Sequence, residues 1–372
     1  MRKISYKFNI KPTKYQDSLL KENLELARYT YNKTIEIRKL TYESEKKTLS
    51  KYDTNKFLPQ WKIDKPELKN IHSQILQNVQ ERVDLAFKAF FQRVKKGDKP
   101  GFPRFKGFGN YDSFTFPQYG NGIVLNDEGL HISKIGLIEI NFHRELPLNT
   151  KIKRATIKRE SDKWFVVFSV EEDNKKQKCG KGTVGIDLGC KTFITISDGE
   201  VVENPKFLSK AMKKIAKAQR KLAKLEKGTS ERKKAKKVLS KIYTKVKNQR
   251  EDFLHKTSRM LVNRYENIIF EDLNIQDMVQ SKPWHSLNRT IMDSGWDKFV
   301  FMCSYKAENA DGKVIKVNPR NTSKMCSKCG VLVEKDLSNR IHECPICGLK
   351  MDRDLNASIN ILRLGQKSLI LN

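Results

Sequence analysis

No run in this sequence approaches the ~18 consecutive apolar residues that a membrane-spanning helix requires. The opening MRKISYKFNIKPT has no apolar core of the kind a secretory signal carries, so a cytoplasmic protein is expected. Cysteine is sparse and odd in number: of seven, four form two CxxC pairs near the C-terminus, and Cys179, Cys190 and Cys303 are scattered. An odd count without an export signal excludes a disulfide framework and fits a reducing compartment. The scattered three read as small core fillers. Acidic residues are also short: 43 Asp and Glu stand against 74 Lys and Arg, an excess of +31. Such an excess repels itself in a compact state unless a polyanion neutralises it. With no membrane segment, nucleic acid is the expected partner. There is no internal repeat.

Hydrophobic residues make up 38% of the 372 positions, enough for two or three domains with substantial cores. Ile4, Tyr6, Phe8 and Ile10 alternate as a strand. Leu19, Leu20, Leu24, Ala27, Tyr31 and Ile35 then recur at helical spacing, as do Ile75, Val79, Val83, Ala86, Phe87 and Phe90. Residues 14–95 therefore read as a helical insertion behind a first strand. In KKGDKPGFPRFKGF, Gly97, Pro100, Gly101 and Pro103 forbid a helix. There Lys99, Arg104 and Lys106 interleave with Phe102, Phe105 and Phe108, which suits phosphate contacts with base stacking. A loop with packed aromatics and solvated charges is the equal alternative. Short alternating runs at 113–116, 122–125, 137–142, 155–158 and 164–170 predict a small antiparallel barrel or sheet. Residues 175–181 read as a basic linker.

TVGIDLGCKTFITISDGEVV at 183–202 predicts three strands with a tight turn at Asp198-Gly199. A long basic helical pair follows at 208–264, broken at 228–230, either a solvated hairpin or a phosphate-tracking face. Residues 267–271 and 313–317 read as buried strands, 287–307 as a helix, and 354–364 as a final helix.

Two features carry chemistry. Cys326-x-x-Cys329 and Cys344-x-x-Cys347 are separated by fourteen residues, and Gly330 and Gly348 each follow a pair. Two such knuckles supply the tetrahedral thiolate set of one structural zinc, leaving no open ligand position. The second is a set of acids: Asp187 within VGIDLG, Glu271 ending IIFE, and Asp354 in DRDLNA opening a helix. A carboxylate among apolar strand residues is costly unless a cation or donor meets it. Taken singly, Asp187 could cap a turn, Glu271 could pair with a core Arg, and Asp354 could cap its helix. Brought together at one sheet edge, the three suit two divalent ions held by hard oxygens. Gly185 and Gly189 leave room for something large to approach.

The order GIDLG, FEDLN, CxxC…CxxC, DRDLNAS resembles the transposon-associated TnpB family, which is related to the type V CRISPR effector nucleases. LAFKAFF, KPGFPRFK, DSF and KW resemble that family's N-terminal half, and QREDFLHK and GW its nuclease half. The resemblance implies a multidomain α+β protein. A small β-barrel wedge domain (1–13 and 96–178) would hold an inserted helical recognition domain (14–95). An RNase H-like RuvC α/β domain (179–321 and 350–372) would follow, containing the basic helical hairpin and an inserted zinc ribbon at 322–349. It implies an RNA-guided DNA endonuclease dependent on magnesium, two ions, with guide RNA and target double-stranded DNA as partners. Asp187, Glu271 and Asp354 match the family's catalytic positions; Asp352 stands two residues away, and the motif favours Asp354. Lys99, Arg104, Lys106 and Arg250 are the expected nucleic-acid contacts. Ser358 stands where members often have Ala. The alternative is a guided or zinc-ribbon DNA-binding repressor without cleavage, which would be free to lose one of the three acids.

Overall fold

A computed structural model describes residues 2–146, 150–172, 178–280, 285–336 and 339–370. The chain divides into two compact units, Met1–Asn174 and Lys175–Asn372. The expected linker at 175–181 lies partly outside the described residues. Among the described residues no helix is long and apolar enough to cross a membrane.

The first unit begins with β1 (Arg2–Lys11), followed by α1 (Lys14–Glu45), α2 (Lys51–Asn55), α3 (Leu58–Asp64), a 3-10 turn and α4 (Ser73–Lys96). Then come β2 (Ser113–Phe116), β3 (Ile123–Asn126), β4 (Gly129–Ile132), β5 (Gly136–Asn141), β6 (Lys151–Glu160) and β7 (Lys163–Glu172). Thr13 starts α1 through a reciprocal capping box with Gln16. Gly97, at φ +74, ends α4. The strands form an antiparallel sheet in the order β2-β6-β7-β1-β5-β4-β3. The alternation of Tyr6, Phe8 and Ile10 buries all three, and they share one apolar core with Leu20, Leu24 and Ile35 of α1 and Val79 and Val83 of α4. β4 is an addition to the expected strands: at four residues, with Leu130 and Ile132 buried and His131 exposed, it is too short for its period to stand out.

The second unit contains β8 (Thr183–Leu188), β9 (Thr192–Ile196), β10 (Val201–Glu203), α5 (Phe207–Ala223), α6 (Ser230–Arg264), β11 (Asn267–Glu271) and α7 (Ile275–Gln280). It continues with α8 (His285–Ser294), α9 (Trp296–Glu308), β12 (Lys313–Val317), β13 (Ile341–Glu343), β14 (Lys350–Asp352) and α10 (Arg353–Ile370). The expected helix at 287–307 is two helices. Gly295 sits at φ +66, a left-handed conformation that interrupts the helix between α8 and α9. The final helix also runs six residues beyond the expected end at 364, to Ile370.

Five strands form a mixed sheet in the order β10-β9-β8-β11-β12. The β10–β9 and β9–β8 pairs are antiparallel, whereas β8, β11 and β12 run parallel. Side-chain alternation sorts its two faces. Val184, Ile186, Ile268 and Phe270 join a core with Leu254 and Leu261 of α6 and Phe299 of α9. The alternate residues Ile269 and Val317 pack with Ile361 of α10. Gly185 shares that second face. A Cβ built there would lie 2.2 Å from the Ser358 carbonyl oxygen and 2.5 Å from the Leu362 amide nitrogen. Gly365 of α10 makes the converse approach, where a Cβ would lie 2.1 Å from the Ile269 Cδ1. The room at Gly185 is thus filled by the backbone of α10, and that at Gly189 by Thr192, whose carbonyl oxygen would meet a Cβ at 2.7 Å.

Candidate functional site: an acid cluster beside a cysteine ribbon

The same alternation places the acids. Ile269 pairs with Gly185, and Phe270 with Ile186. The next position along each strand brings Glu271 beside Asp187, at the C-terminal ends of parallel strands, where open α/β sheets collect their ligands. Both residues have the parity of the α10 face. Asp354 lies in the first turn of α10 and supplies the third carboxylate.

The electrostatics agree with convergence. Asp187 is held well above the ordinary carboxylate range, first by burial, then by the carboxylates of Glu271 and Asp354, with Arg353 opposing. The residue as a whole is partly exposed, but its carboxyl sits deep among protein atoms, and the carboxyl's surroundings govern the shift. Glu271 is also raised by burial, against a hydrogen bond from the Thr322 hydroxyl. Asp354 accepts from Arg353 Nε at 3.0 Å and Nη2 at 2.9 Å, and Arg340 Nη1 stands 3.4 Å away. Asp352 instead caps α10, where its Oδ1 accepts the amides of Asp354 at 2.8 Å and Leu355 at 3.1 Å. Asp187 and Glu271, buried carboxylates with raised proton affinity, are what a divalent cation would relieve.

The cysteines are drawn closer still. Among the described residues, theirs is the one set of three or more potential ligands whose donor atoms all lie within 4.8 Å of one another. Cys326 Sγ is 3.6 Å from Cys347 Sγ, and Cys329 Sγ is 3.6 Å from Cys344 Sγ. A tetrahedron with zinc–sulfur bonds of ~2.3 Å has edges of about 3.8 Å, so the donor set fits zinc. The two knuckles repeat one geometry. Gly330 and Gly348 take φ +79 and +70 and donate to the carbonyls of Cys326 and Cys344 at 2.9 and 3.0 Å. Burial alone would raise the Cys326 thiol, but the amides of Cys329 and Lys328 outweigh it and bring it down to about 7. The amide of Cys347 leads in bringing Cys344 down to about 6. At Cys326 and Cys344, amides aimed at sulfur favour the thiolate form a metal needs. At Cys329 the Val331 amide lowers the thiol, but burial and the neighbouring thiols outweigh it and push it up to about 12.

The basic residues divide. Lys99, Arg104 and Lys106 are exposed, on a segment where Phe105 and Phe108 also point outward. Phe102 instead packs edge-on against Phe87 and Phe90, each 5.4 Å away. The packed-aromatic alternative thus holds at Phe102, while Lys99, Arg104 and Lys106 face solvent. Asn32 fixes it through both backbone groups of Lys106, at 2.8 and 3.0 Å. Arg250 is committed to Asp293 within the fold. In the α5–α6 hairpin, Ile215, Ala235 and Val246 are buried while Lys213, Lys217, Lys233 and Lys245 face outward. Sequence reading missed Thr322, Asn356 and Asn360, all buried. Two asparagines four residues apart share a helix face, and that spacing was the available signal.

Family models match three parts of the chain. Residues 165–282 match OrfB_IS605, described as a probable transposase, 296–361 a Cas12f1-like TNB domain, and 1–47 a helix-turn-helix domain. The chain is 27% identical to a protein of Escherichia coli strain K12 titled "Putative RNA-guided DNA endonuclease InsQ", over 96% of this chain and 90% of that one. It is 26% identical to TnpB-like protein L79 of Acanthamoeba polyphaga mimivirus, over 63% of this chain and 50% of that one. The chain is thus similar to TnpB-like proteins. Its fold resembles the protein in a cryo-EM structure of a Cas12f1–sgRNA–target DNA complex, with a TM-score of 0.55 at 15% identity. The match covers 92% of this chain and 81% of that one. The segment matching the TNB domain contains all four ribbon cysteines and Asp354.

Proposed function

We propose that this protein is an RNA-guided DNA endonuclease that hydrolyses phosphodiesters at Asp187, Glu271 and Asp354. The observation that supports the reading is the buried Asp187 carboxyl, raised first by burial and then by the nearby carboxylates of Glu271 and Asp354. Relatives named as RNA-guided DNA endonucleases match over most of their length, which supports the same activity here. In this reading the unit with strand order β10-β9-β8-β11-β12 is an RNase H-like RuvC domain, and the first unit combines a barrel-like wedge at 1–13 and 96–178 with a helical recognition region at 14–95.

Asp187 and Glu271 offer hard oxygen ligands from strand ends, and Asp354 from the helix that covers them. Two magnesium ions held there would supply an activated water and stabilise the leaving oxygen. Arg353 and Arg340 orient the Asp354 carboxylate. The cysteine set would hold one structural zinc with no position open for chemistry. Guide RNA pairing would select the target sequence, while exposed Lys99, Arg104 and Lys106 and the lysine face of α5–α6 track phosphates.

The test uses protein purified with its own RNA, a duplex matching that RNA with a randomised flank, and Mg²⁺. Wild type cuts, and Asp187→Ala binds the duplex with unchanged affinity without cutting it. Wild-type protein that binds the matched duplex and leaves it intact under every divalent ion would establish the repressor reading.

A further inference from the structure

We propose that Thr322 is a positioning residue for Glu271, held in place by an asparagine clamp between the cysteine ribbon and α10. The inference rests on reading Glu271 as a metal-holding carboxylate. Thr322 is 3% exposed, and its hydroxyl donates to Glu271 Oε1. The hydroxyl has one proton and a second acceptor within reach, the Pro319 carbonyl at 3.1 Å. An ionised carboxylate is the stronger acceptor and takes it. This occupies one oxygen of Glu271, leaves Oε2 to face a cation, and fixes the plane of the carboxylate. That is the role of a partner behind a metal ligand.

What fixes Thr322 is α10. Asn360 Nδ2 donates to the Thr322 carbonyl at 2.9 Å and to the Met325 carbonyl at 2.7 Å. Asn356 Nδ2 donates to the same Met325 carbonyl at 2.8 Å, and its Oδ1 accepts the Ser327 amide at 2.9 Å. Both asparagines are fully buried. The segment that leads into Cys326 thus has backbone groups satisfied by side chains of α10. Buried carbonyls and amides that lose such partners carry the full desolvation cost, so the clamp selects one placement of the segment. The same helix is seated on Gly185, two residues before Asp187, and carries Asp354 in its first turn. The first knuckle, Glu271 and Asp354 are therefore referenced to one rigid helix, and the ribbon acts on the acid site through Thr322.

The test titrates Mn²⁺ into the full-length, zinc-loaded chain and follows free Mn²⁺ by electron paramagnetic resonance, without nucleic acid. Thr322→Val, which keeps the shape and removes the donor, weakens Mn²⁺ binding about tenfold, within the range for partners behind metal ligands. Thr322→Ser restores binding to within about twofold of wild type on the same scale. Asn360→Asp, which removes the Asn360 donors to Thr322 and Met325 without touching Glu271, weakens it in the same direction. Zinc content stays at one per chain in each variant, which separates repositioning from loss of the ribbon. Thr322→Val binding Mn²⁺ like wild type while Asp187→Asn loses it overturns the proposal and leaves the endonuclease reading standing. Asp187→Asn binding Mn²⁺ like wild type removes the metal site itself, and the proposal with it. A Ser variant as weak as Val also overturns it, because the hydroxyl would then not be the operative group.

Discussion

Asp187 and Glu271 stand side by side on neighbouring parallel strands, one position past the Ile186–Phe270 pair, and both face the side of the sheet that α10 covers. Carboxylates so placed repel each other and lose water, which is why the proton affinity of Asp187 is raised. The seat of α10 on Gly185 fixes how far Asp354 can approach them.

That seat gives a first prediction. Gly185→Ala places a methyl group 2.2 Å from the Ser358 carbonyl oxygen, and backbone on both sides cannot yield cheaply. The expected loss is about 2–3 kcal/mol, typical of forced overpacking. Urea denaturation reads it as a lower midpoint with an unchanged slope. A midpoint equal to wild type would show that α10 moves freely on the sheet.

The ribbon gives a second. Elemental analysis of protein purified without chelator should find one zinc per chain. Cys326→Ser should lose it and increase amide exchange in β13, β14 and the first turns of α10, because Asn356 and Asn360 clamp the knuckle to that helix. Full zinc occupancy in the variant would mean that this thiolate is not a ligand.

A third concerns a buried charge. Lys306, 5% exposed, donates to the His255 carbonyl at 2.8 Å and to Ser258 Oγ at 2.7 Å. Burial and the Arg259 charge bring it down to about 8. Its folded-state value lies below the usual 10.5, so between about pH 8 and 10.5 the unfolded chain holds a proton that the folded chain does not. Stability from this group therefore rises with pH across that window, and its cost is complete below pH 8. Lys306→Met should raise unfolding free energy at pH 7 by about 1–3 kcal/mol, the order of the shift after discounting its hydrogen bonds. Denaturation at pH 7 and at pH 10 should show the gain shrinking. A gain independent of pH would assign the effect to packing.

The fourth follows from charge. The protein should copurify with RNA, and each neutralised phosphate should add roughly 0.7–0.9 to the log–log slope of affinity against salt. A slope near zero would mean that the +31 excess serves something other than phosphates.

Local pattern carried much of this molecule. The alternation of Tyr6, Phe8 and Ile10, the helical spacing through Ile35, and the paired CxxC-Gly knuckles specify their elements because the relevant neighbours lie within a few residues. Asp187 and Glu271 stood out because each carboxylate follows apolar strand residues, whereas Asp354, among the polar residues of DRDLN, was singled out only by resemblance to a family motif. Strand β4 and the break at Gly295 were not legible: the first is too short to show a period, and a lone glycine inside a helical pattern is as often tolerated as not.

Tertiary structure decided what pattern could not, namely which distant groups meet. Sequence supplied two candidate aspartates and a motif favouring Asp354, and only the fold shows that Asp352 caps the helix. Sequence supplied a free-looking Arg250, and only the fold commits it to Asp293. It supplied a small residue at 185, and only the fold shows that a helix fills the space. Thr322, Asn356 and Asn360 look like ordinary polar residues until burial leaves each amide and hydroxyl a single set of partners. Composition and spacing determine which residue types are present and which faces they share. Partner choice for buried polar groups depends on contacts between residues distant in sequence, 51 positions apart for Thr322 and Glu271, and these exist only once the chain has packed.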